Sequence, residues 1–484
     1  MNVRLVMFIL GKVSIVFGLS LLIPVIAAVC FNETQTVEFL LPIIISLLLG
    51  GFMSRMKAEY KGHLSLREGL ALVGFSWLLV CFLGALPYLF FGFDFISSLF
   101  ESISGFTTTG ATSINDLNAI PNSLILWRAL TQWLGGLGII LIFITLVPQV
   151  GSSGERLFTA ELHGESTERI MPRIKTTVYA ISIAYIAATS VLVLILCMLK
   201  MTFFEAINYA MTTVSTGGFL MHNEGLGHFN SRYVEVVILL FMFFSGGNYV
   251  LYYKAYKEGI KKLWQDTELI AYLSVMLFFT FAITLNLFYS NVYVLSQSIY
   301  YSLFQSISTI TTTGYFLQNY NEWPEFSRFC ILLMMFIGGC AGSTAGGIKV
   351  ARLLILFKLS WAELKRALHP RMVIDIKLSG NHIAPNMIIS ISRFFFFYIA
   401  IFIFATLFLS LTDKLGMLDS IGIAAASMAN IGPAFDMVAP FSTYADVSAA
   451  TKLISSVLML LGRLEIFSLL IFLNPEFWRG TKNW

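Results

Sequence analysis

The sequence predicts an all-α polytopic membrane protein: ten spanning helices, comprising four copies of a repeated unit and two extra N-terminal spans. Three observations predict it. Of 484 residues, 57% are hydrophobic and only 12% are charged, about half the charged share of a soluble globular domain. Ten stretches are apolar over the ~20 residues that a helix needs to cross the hydrocarbon core. Lys and Arg gather in alternate connections, as the positive-inside rule requires. The composition excludes a disordered chain and a nucleic-acid binder, and membrane lipid is the implied surrounding. The net charge of +4 is too small to argue for an anionic partner.

The spans lie near 5–31, 36–54, 68–92, 123–148, 176–199, 233–253, 268–290, 326–357, 386–411 and 453–474. The first has the look of a signal peptide, with Arg4 and Lys12 beside an apolar stretch. No small-residue cleavage site followed by a soluble domain accompanies it, so it reads as a retained span. With residues 1–12, 53–68, 149–175, 252–267, 349–393 and 474–484 on the cytoplasmic side, those segments hold 24 of the 31 Lys and Arg. Both termini are then cytoplasmic. The remainder are Arg128, Lys200, Arg232, Arg328, Lys414, Lys452 and Arg463. Cysteines 30, 81, 197, 330 and 340 form neither a CxxC pair nor a disulfide framework, and read as small buried hydrophobes.

Four apolar stretches near 95–106, 203–214, 297–310 and 419–429 come after the third, fifth, seventh and ninth spans. They are too short to cross, which suggests re-entrant or buried helices. Thr202 with Glu205 makes a capping-box pattern, and Asp94, Ser296 and Asp419 occupy comparable starts.

The short helices and the turns that end them are repeated in sequence. Residues 98–110, SLFESISGFTTTG, and 302–314, SLFQSISTITTTG, agree at ten of thirteen positions. INYAMTTVSTGG at 207–218 and GIAAASMANIGPA at 422–434 are weaker copies. Aligning the glycines gives Gly110, Gly217, Gly314 and Gly432, spaced 107, 97 and 118 residues apart. The chain divides accordingly into two N-terminal spans (1–66) and repeats at 67–150, 151–266, 267–384 and 385–484, the third with a broken second helix. Four units of span, short helix, turn and span most simply surround a shared axis, which in a membrane suggests a central pore.

A Thr/Gly turn can simply end a helix, since Gly is the usual C-cap. Non-helical backbone at membrane depth is tolerated, however, only where protein buries it or where it lines a cavity. A dehydrated monovalent cation needs a cage of oxygens, and rings of backbone carbonyls supply one. The candidate ligands are Thr107, Thr108, Thr109, Gly110 and Ala111; Val214, Ser215, Thr216 and Gly217; Thr311, Thr312, Thr313 and Gly314; and Asn430, Ile431 and Gly432. Short helices entering from outside would aim their partially negative C-terminal ends at the same place. Glu101, aligned with Asn208, Gln305 and Ile423, reads as a residue that braces the turn.

The eighth span is interrupted by GGCAGSTAGGIK at 338–349. GxxxxGK[ST] is not satisfied, and tight packing through Gly342 and Gly346 is a second reading. So many small residues in one span more readily make a flexible break. Arg463 is a charge inside a span, where it must face a cavity or a partner. Glu465, two positions on, lies on another face.

TTTGA at 107–111, VSTGG at 214–218, TTTGY at 311–315 and ANIGP at 429–433 resemble the four filter turns of the Trk/Ktr/HKT superfamily of potassium uptake proteins, over residues 68 to 474 or so. The two extra N-terminal spans make the chain most similar to the Trk-type membrane subunit. The resemblance implies potassium as the metal ion held at those turns, with Gly in all four accompanying potassium selectivity. Ser at the first position accompanies sodium permeation, and here that residue is Gly110. The fourth turn lacks the triple Thr. The resemblance further implies a gate beneath the filter, formed by Gly338, Gly339, Cys340, Ala341, Gly342, Ser343, Thr344, Ala345, Gly346 and Gly347, and a fixed pore charge at Arg463. It implies a homodimer in the cytoplasmic (inner) membrane with a cytosolic nucleotide-binding ring of the TrkA type. Any nucleotide, ATP/ADP or NAD, would sit on that partner, because this chain has no Rossmann fingerprint and carries no cofactor of its own.

Histidines 63, 163, 222, 228, 369 and 382 all fall in connections without a metal-ligand spacing, and no nucleophile–base pair is present, which argues against an enzyme. A secondary transporter coupling potassium to sodium or protons is the alternative. It would place ionisable relays in the spans, for which Glu101 and the Arg463/Glu465 pair are the candidates.

Overall fold

The computed structural model describes residues 2–56, 65–146, 170–369, 375–413, 415–464 and 466–478. Most of the basic 149–175 connection with His163, the repeat boundary at 150, His63, Lys414, Glu465 and the tail beyond 478 lie outside the described residues.

The chain is helical nearly throughout. The first two spans, Val3–Cys30 and Val37–Ser54, meet through glycine. A Cβ on Gly11 would lie 2.8 Å from the Gly50 carbonyl oxygen, and one on Gly50 would lie 2.7 Å from that of Gly11. Small residues let backbones approach where no water drives helices together, and Ser14 adds a bond to the Ser46 carbonyl at 2.7 Å. Leu66–Phe90 comes next, opened by a capping box of Ser65 and Glu68, and packs against the first span. Large apolar side chains such as Leu48, Met198, Phe404 and Leu411 point outward, the surface that lipid would cover.

Among the described residues six helices are long and apolar enough to cross a membrane, and two bent pairs bring the number to as many as eight. The expected ten are not reached by length alone. Asn122–Leu146 runs to the edge of the described residues, and the eighth span is split into Glu325–Ile337 and Val350–Leu368.

Two spans expected to be continuous are broken. Arg232–Ser245 and Tyr249–Glu258 meet at 88°, and Ala449–Arg463 and Ile466–Leu473 meet at 115°. The first break falls at Gly246-Gly247, after which the Asn248 side chain caps Val250 and Leu251 at 2.9 and 3.2 Å. The second comes after Gly462, whose absent Cβ admits the Met428 carbonyl oxygen at 2.1 Å.

Four short helices, Phe95–Phe106, Phe203–Val214, Leu295–Ile310 and Met417–Ala429, sit in the interior, with their last two turns buried. Asp94 caps the first through Ser97 at 2.9 Å, and Thr202 with Glu205 caps the second reciprocally. The other two starts differ from expectation. Leu295–Ile310 begins two residues earlier, after extended Val294, so Ser296 lies inside the helix and caps nothing. Asp419 is the third helical residue and reaches back to the Gly416 amide at 3.0 Å.

Candidate functional site

Each short helix ends the same way. Thr108, Thr216, Thr312 and Asn430 take left-handed φ angles of 54°, 54°, 55° and 57°. Asn tolerates that region, which explains why the fourth turn dispenses with Thr. A β-branched residue there is an outlier, and such strain persists only where the surroundings impose it. The next residue donates back into its own helix: Thr109 to Ser104, Gly217 to Thr212, Thr313 to Ser308 and Ile431 to Ala426, at 2.9–3.0 Å. The residue after that is glycine at φ 82°, 73°, 80° and 92°, namely Gly110, Gly218, Gly314 and Gly432.

The four turns abut in cyclic order. A Cβ on Gly110 would lie 2.1 Å from the Gly217 carbonyl oxygen, and one on Gly218 would lie 1.8 Å from that of Thr313. One on Gly314 would lie 1.9 Å from the Ile431 oxygen, and one on Gly432 would lie 2.7 Å from the Thr109 oxygen. Turn one thus touches two, two touches three, three touches four, and four closes on one. Side chains would hold these backbones apart, which is why the position is glycine in every copy.

This register corrects the alignment of the second copy. Gly217 is the counterpart of Thr109, Thr313 and Ile431, and the left-handed glycine is Gly218. With two adjacent glycines, sequence comparison had two gapless choices. Gly217 lacks a side chain because the Gln132 amide fills its place, donating to the Gly217 carbonyl at 2.7 Å and accepting from Phe219 N at 3.1 Å. Glu101 is therefore matched by Tyr209 rather than by Asn208.

Thr107–Thr109, Ser215, Thr216, Thr311–Thr313, Asn430 and Ile431 are almost completely buried. Among the described residues no hydrogen bond reaches the carbonyl oxygens of Thr108, Thr109, Thr216, Thr312, Thr313, Asn430 or Ile431. Buried backbone acceptors are ordinarily paired, so a cluster of unpaired ones in one place is a site for something electropositive.

Above the turns lies a cavity of about 200 Å³, lined by all four left-handed glycines and by Ala111, Thr112 and His222. The first turn's continuation is held by Glu101, 1% exposed, which accepts from Thr112 Oγ1 at 2.7 Å and Ser113 N at 2.5 Å. Arg128, equally buried, pairs with Glu101 at 3.4 Å, donates to the Leu220 carbonyl at 2.9 Å and covers the Phe219 ring at 4.1 Å. Asn208 and Gln305 instead bond within their own helices.

On the opposite side, residues 338–349 form a loop pressed against the turns. Its ends are pinched by bonds from Ile348 to Phe336, Lys349 to Ile337 and Val350 to Gly339. Gly346 N donates to Thr312 Oγ1 at 2.7 Å, and Thr216 Oγ1 donates to Thr344 Oγ1 at 3.1 Å. Ala341 N is held by Glu268 at 2.5 Å. Gly338, Gly342 and Gly347, at φ 72°, 72° and 76°, give the loop a path that side chains would resist. Arg463, buried, donates to the Thr344 carbonyl at 2.6 Å and to Gly135 at 3.5 Å. The residues expected as filter, gate and charge therefore meet in one place.

Residues 36–479 match the family model described as "TrkH: Cation transport protein". The chain belongs to the TrkH family of cation transport proteins. It is 34% identical to the Trk system potassium uptake protein TrkH of Escherichia coli K12 over 99% of this chain and all of that one. Identity to TrkG of the same organism is 31%, over 99% of both chains. The crystal structure of the potassium transporter TrkH from Vibrio parahaemolyticus superposes with a TM-score of 0.90 at 31% identity, covering 99% of this chain and 100% of that one.

Within this family fold, sequence reading missed Gly218, Gln132 and the Arg128–Glu101 pair. Arg128 lies 27 residues from Glu101, and only a polar residue on an apolar helix hinted at it. A second omission is Glu205, His222 and His228, which converge although no local spacing joins them.

Proposed function

We propose that this chain takes up potassium across the cytoplasmic membrane through a gated, channel-like pore in which the four turns form the selectivity filter. The observation that carries the reading is the closed ring of turns with unpaired, buried carbonyl oxygens. Such oxygens replace the hydration shell of a potassium ion. The four short helices run into the ring by their C-terminal ends, whose partial negative charge favours a cation. Potassium is named because the relatives are potassium uptake proteins and because glycine occupies all four positions.

In this reading ions lose water in the outer cavity, cross the ring and then meet the 338–347 loop, which must withdraw. Arg463 pins the loop through Thr344 and sets a positive charge beneath the ring, holding conduction down until the loop moves. The distribution of Lys and Arg supports cytoplasmic termini. The Trk-system names of the relatives imply partner subunits, which we assign to a homodimer with a cytosolic nucleotide-binding ring. The rival, proton- or sodium-coupled transport, needs a carboxylate free to relay ions. Glu101, the carboxylate expected in that role, is committed to Arg128, Thr112 and Ser113.

The test is rubidium uptake into potassium-loaded proteoliposomes, comparing the unsubstituted chain with Gly110→Ser, with the cytosolic partner added back if flux is absent. Potassium should compete, sodium should not, and the substitution should erode that difference. Uptake that requires an imposed proton or sodium gradient would overturn the channel.

A further inference from the structure

We propose that Glu205, His222 and His228 form a transition-metal site of the zinc class beside the outer mouth of the ring. The three residues come from two elements. Glu205 is in the first turn of Phe203–Val214, and the histidines belong to the segment that leaves the second turn. One ligand atom from each lies within 4.8 Å of the others. Zinc bonds of 2.0–2.1 Å place tetrahedral ligands roughly 3.3 Å apart, a gap that side-chain rotation closes without backbone movement.

The arrangement is prepared in several respects. Glu205 Oε2 accepts from Thr202 N and Oγ1 at 2.9 and 2.7 Å, while Oε1 faces His222 Nε2 at 3.7 Å. That nitrogen is buried and has no hydrogen-bond partner. The two imidazoles stack at 3.9 Å and 15°, which brings them side by side; one ring must turn out of the stack for both in-plane lone pairs to converge on an ion. Glu224 Oε2 lies 3.7 Å from His228 Nδ1, and a carboxylate on the second nitrogen is what commonly orients a ligating imidazole. Two imidazoles and one carboxylate suit zinc or a neighbouring first-row ion with an open position, and suit potassium poorly.

The path of the segment links this site to the ring. It starts at Phe219, directly after Gly218. Arg128 holds it at Phe219 and Leu220, and His222 lines the cavity over the four glycines. A bound divalent ion would tie this segment to the start of the second short helix and add positive charge at the mouth. That would slow the entry of a monovalent cation. The effect on flux rests on the pore reading above, whereas binding does not.

Calorimetry with zinc chloride on the purified full-length chain in detergent tests the site. His222→Ala and His228→Ala should each weaken one binding step roughly tenfold or more, and Glu205→Gln, which keeps an oxygen for the cap, should do the same. Zinc-edge absorption of the loaded chain should show two imidazole nitrogens. Metal-free melting separates ligand loss from misfolding. If the double histidine variant melts normally yet binds zinc with unchanged stoichiometry and affinity, the site is overturned. In proteoliposomes, external zinc should slow rubidium uptake, with a chelator reversing it and the variants insensitive. Zinc that binds at these residues without slowing uptake would overturn the regulatory role and leave the site standing. Absence of rubidium uptake with the partner present would fall on the pore reading, with calorimetry still deciding the site.

Discussion

Alanine at Gly218 distinguishes the geometry of the ring from the alignment of its sequence. Its φ of 73° places a Cβ where the left-handed backbone disfavours one, at roughly 1–2 kcal/mol. That Cβ would also stand 1.8 Å from the Thr313 carbonyl oxygen. Restoring ordinary contact would part turns two and three by roughly 1.7 Å, since heavy atoms settle at about 3.5 Å. A cage of oxygens displaced that far no longer fits a dehydrated ion, so rubidium uptake should fall roughly tenfold or more, the equivalent of 1.4 kcal/mol in a barrier. Gly217, which alignment favours, differs. Its φ is not positive, and the three atoms nearest its would-be Cβ all belong to the Gln132 amide, at 2.4–2.7 Å. Gly217→Ala combined with Gln132→Ala should therefore keep discrimination between potassium and sodium while losing two hydrogen bonds, about 1 kcal/mol each in melting stability. The assay is initial rubidium uptake in proteoliposomes with potassium or sodium as competitor. Normal uptake by Gly218→Ala, or loss of selectivity confined to the Gly217 variant, would contradict this assignment of the ring glycine.

Other substitutions probe the supports. Arg463→Ala removes a guanidinium bond to Thr344, about 1.5–3 kcal/mol for a charged donor, and should raise partner-free rubidium flux roughly tenfold; unchanged flux would remove Arg463 from gating. Gly346→Ala puts a Cβ 2.2 Å from the Ala429 carbonyl oxygen, so the loop should seat poorly, seen as faster protease cleavage within 338–349. Glu101→Gln strands a buried guanidinium, at about 3–5 kcal/mol, and should lower the melting temperature, with Arg128→Met in the same chain recovering part of it. Asp94→Ala deletes a helix cap, at about 1 kcal/mol, and should lower melting slightly without altering ion preference.

Much of this organisation is legible in one sequence because membranes leave few solutions. Apolar runs of the right length, a dozen apolar residues that cannot cross, and a turn repeated after each are signals that survive without tertiary context. TTTG also announces its glycine, since a left-handed turn beside another backbone admits little else. Long-range partners left no such trace. The amide of Gln132 that occupies the place of a side chain at Gly217 cannot be read from VSTGG, and so the second register slipped by one. Breaks at Gly246-Gly247 and after Gly462 hid inside runs apolar enough to pass for whole spans, whereas the 338–349 break was long enough to show. Ser296 looked like a cap only because the helix was started two residues late. Glu205, His222 and His228 are drawn together by the loop that leaves the second turn, a path that no local spacing encodes.

In the proposed pore the four turns hold a dehydrated potassium ion by their backbone oxygens. Anomalous scattering from crystals of the full-length chain grown with rubidium locates that ion. Rubidium peaks are expected on the axis enclosed by the unpaired carbonyls of Thr108, Thr216, Thr312 and Asn430, weakened in Gly218→Ala. Peaks elsewhere in the chain, with none at the ring, would contradict that placement.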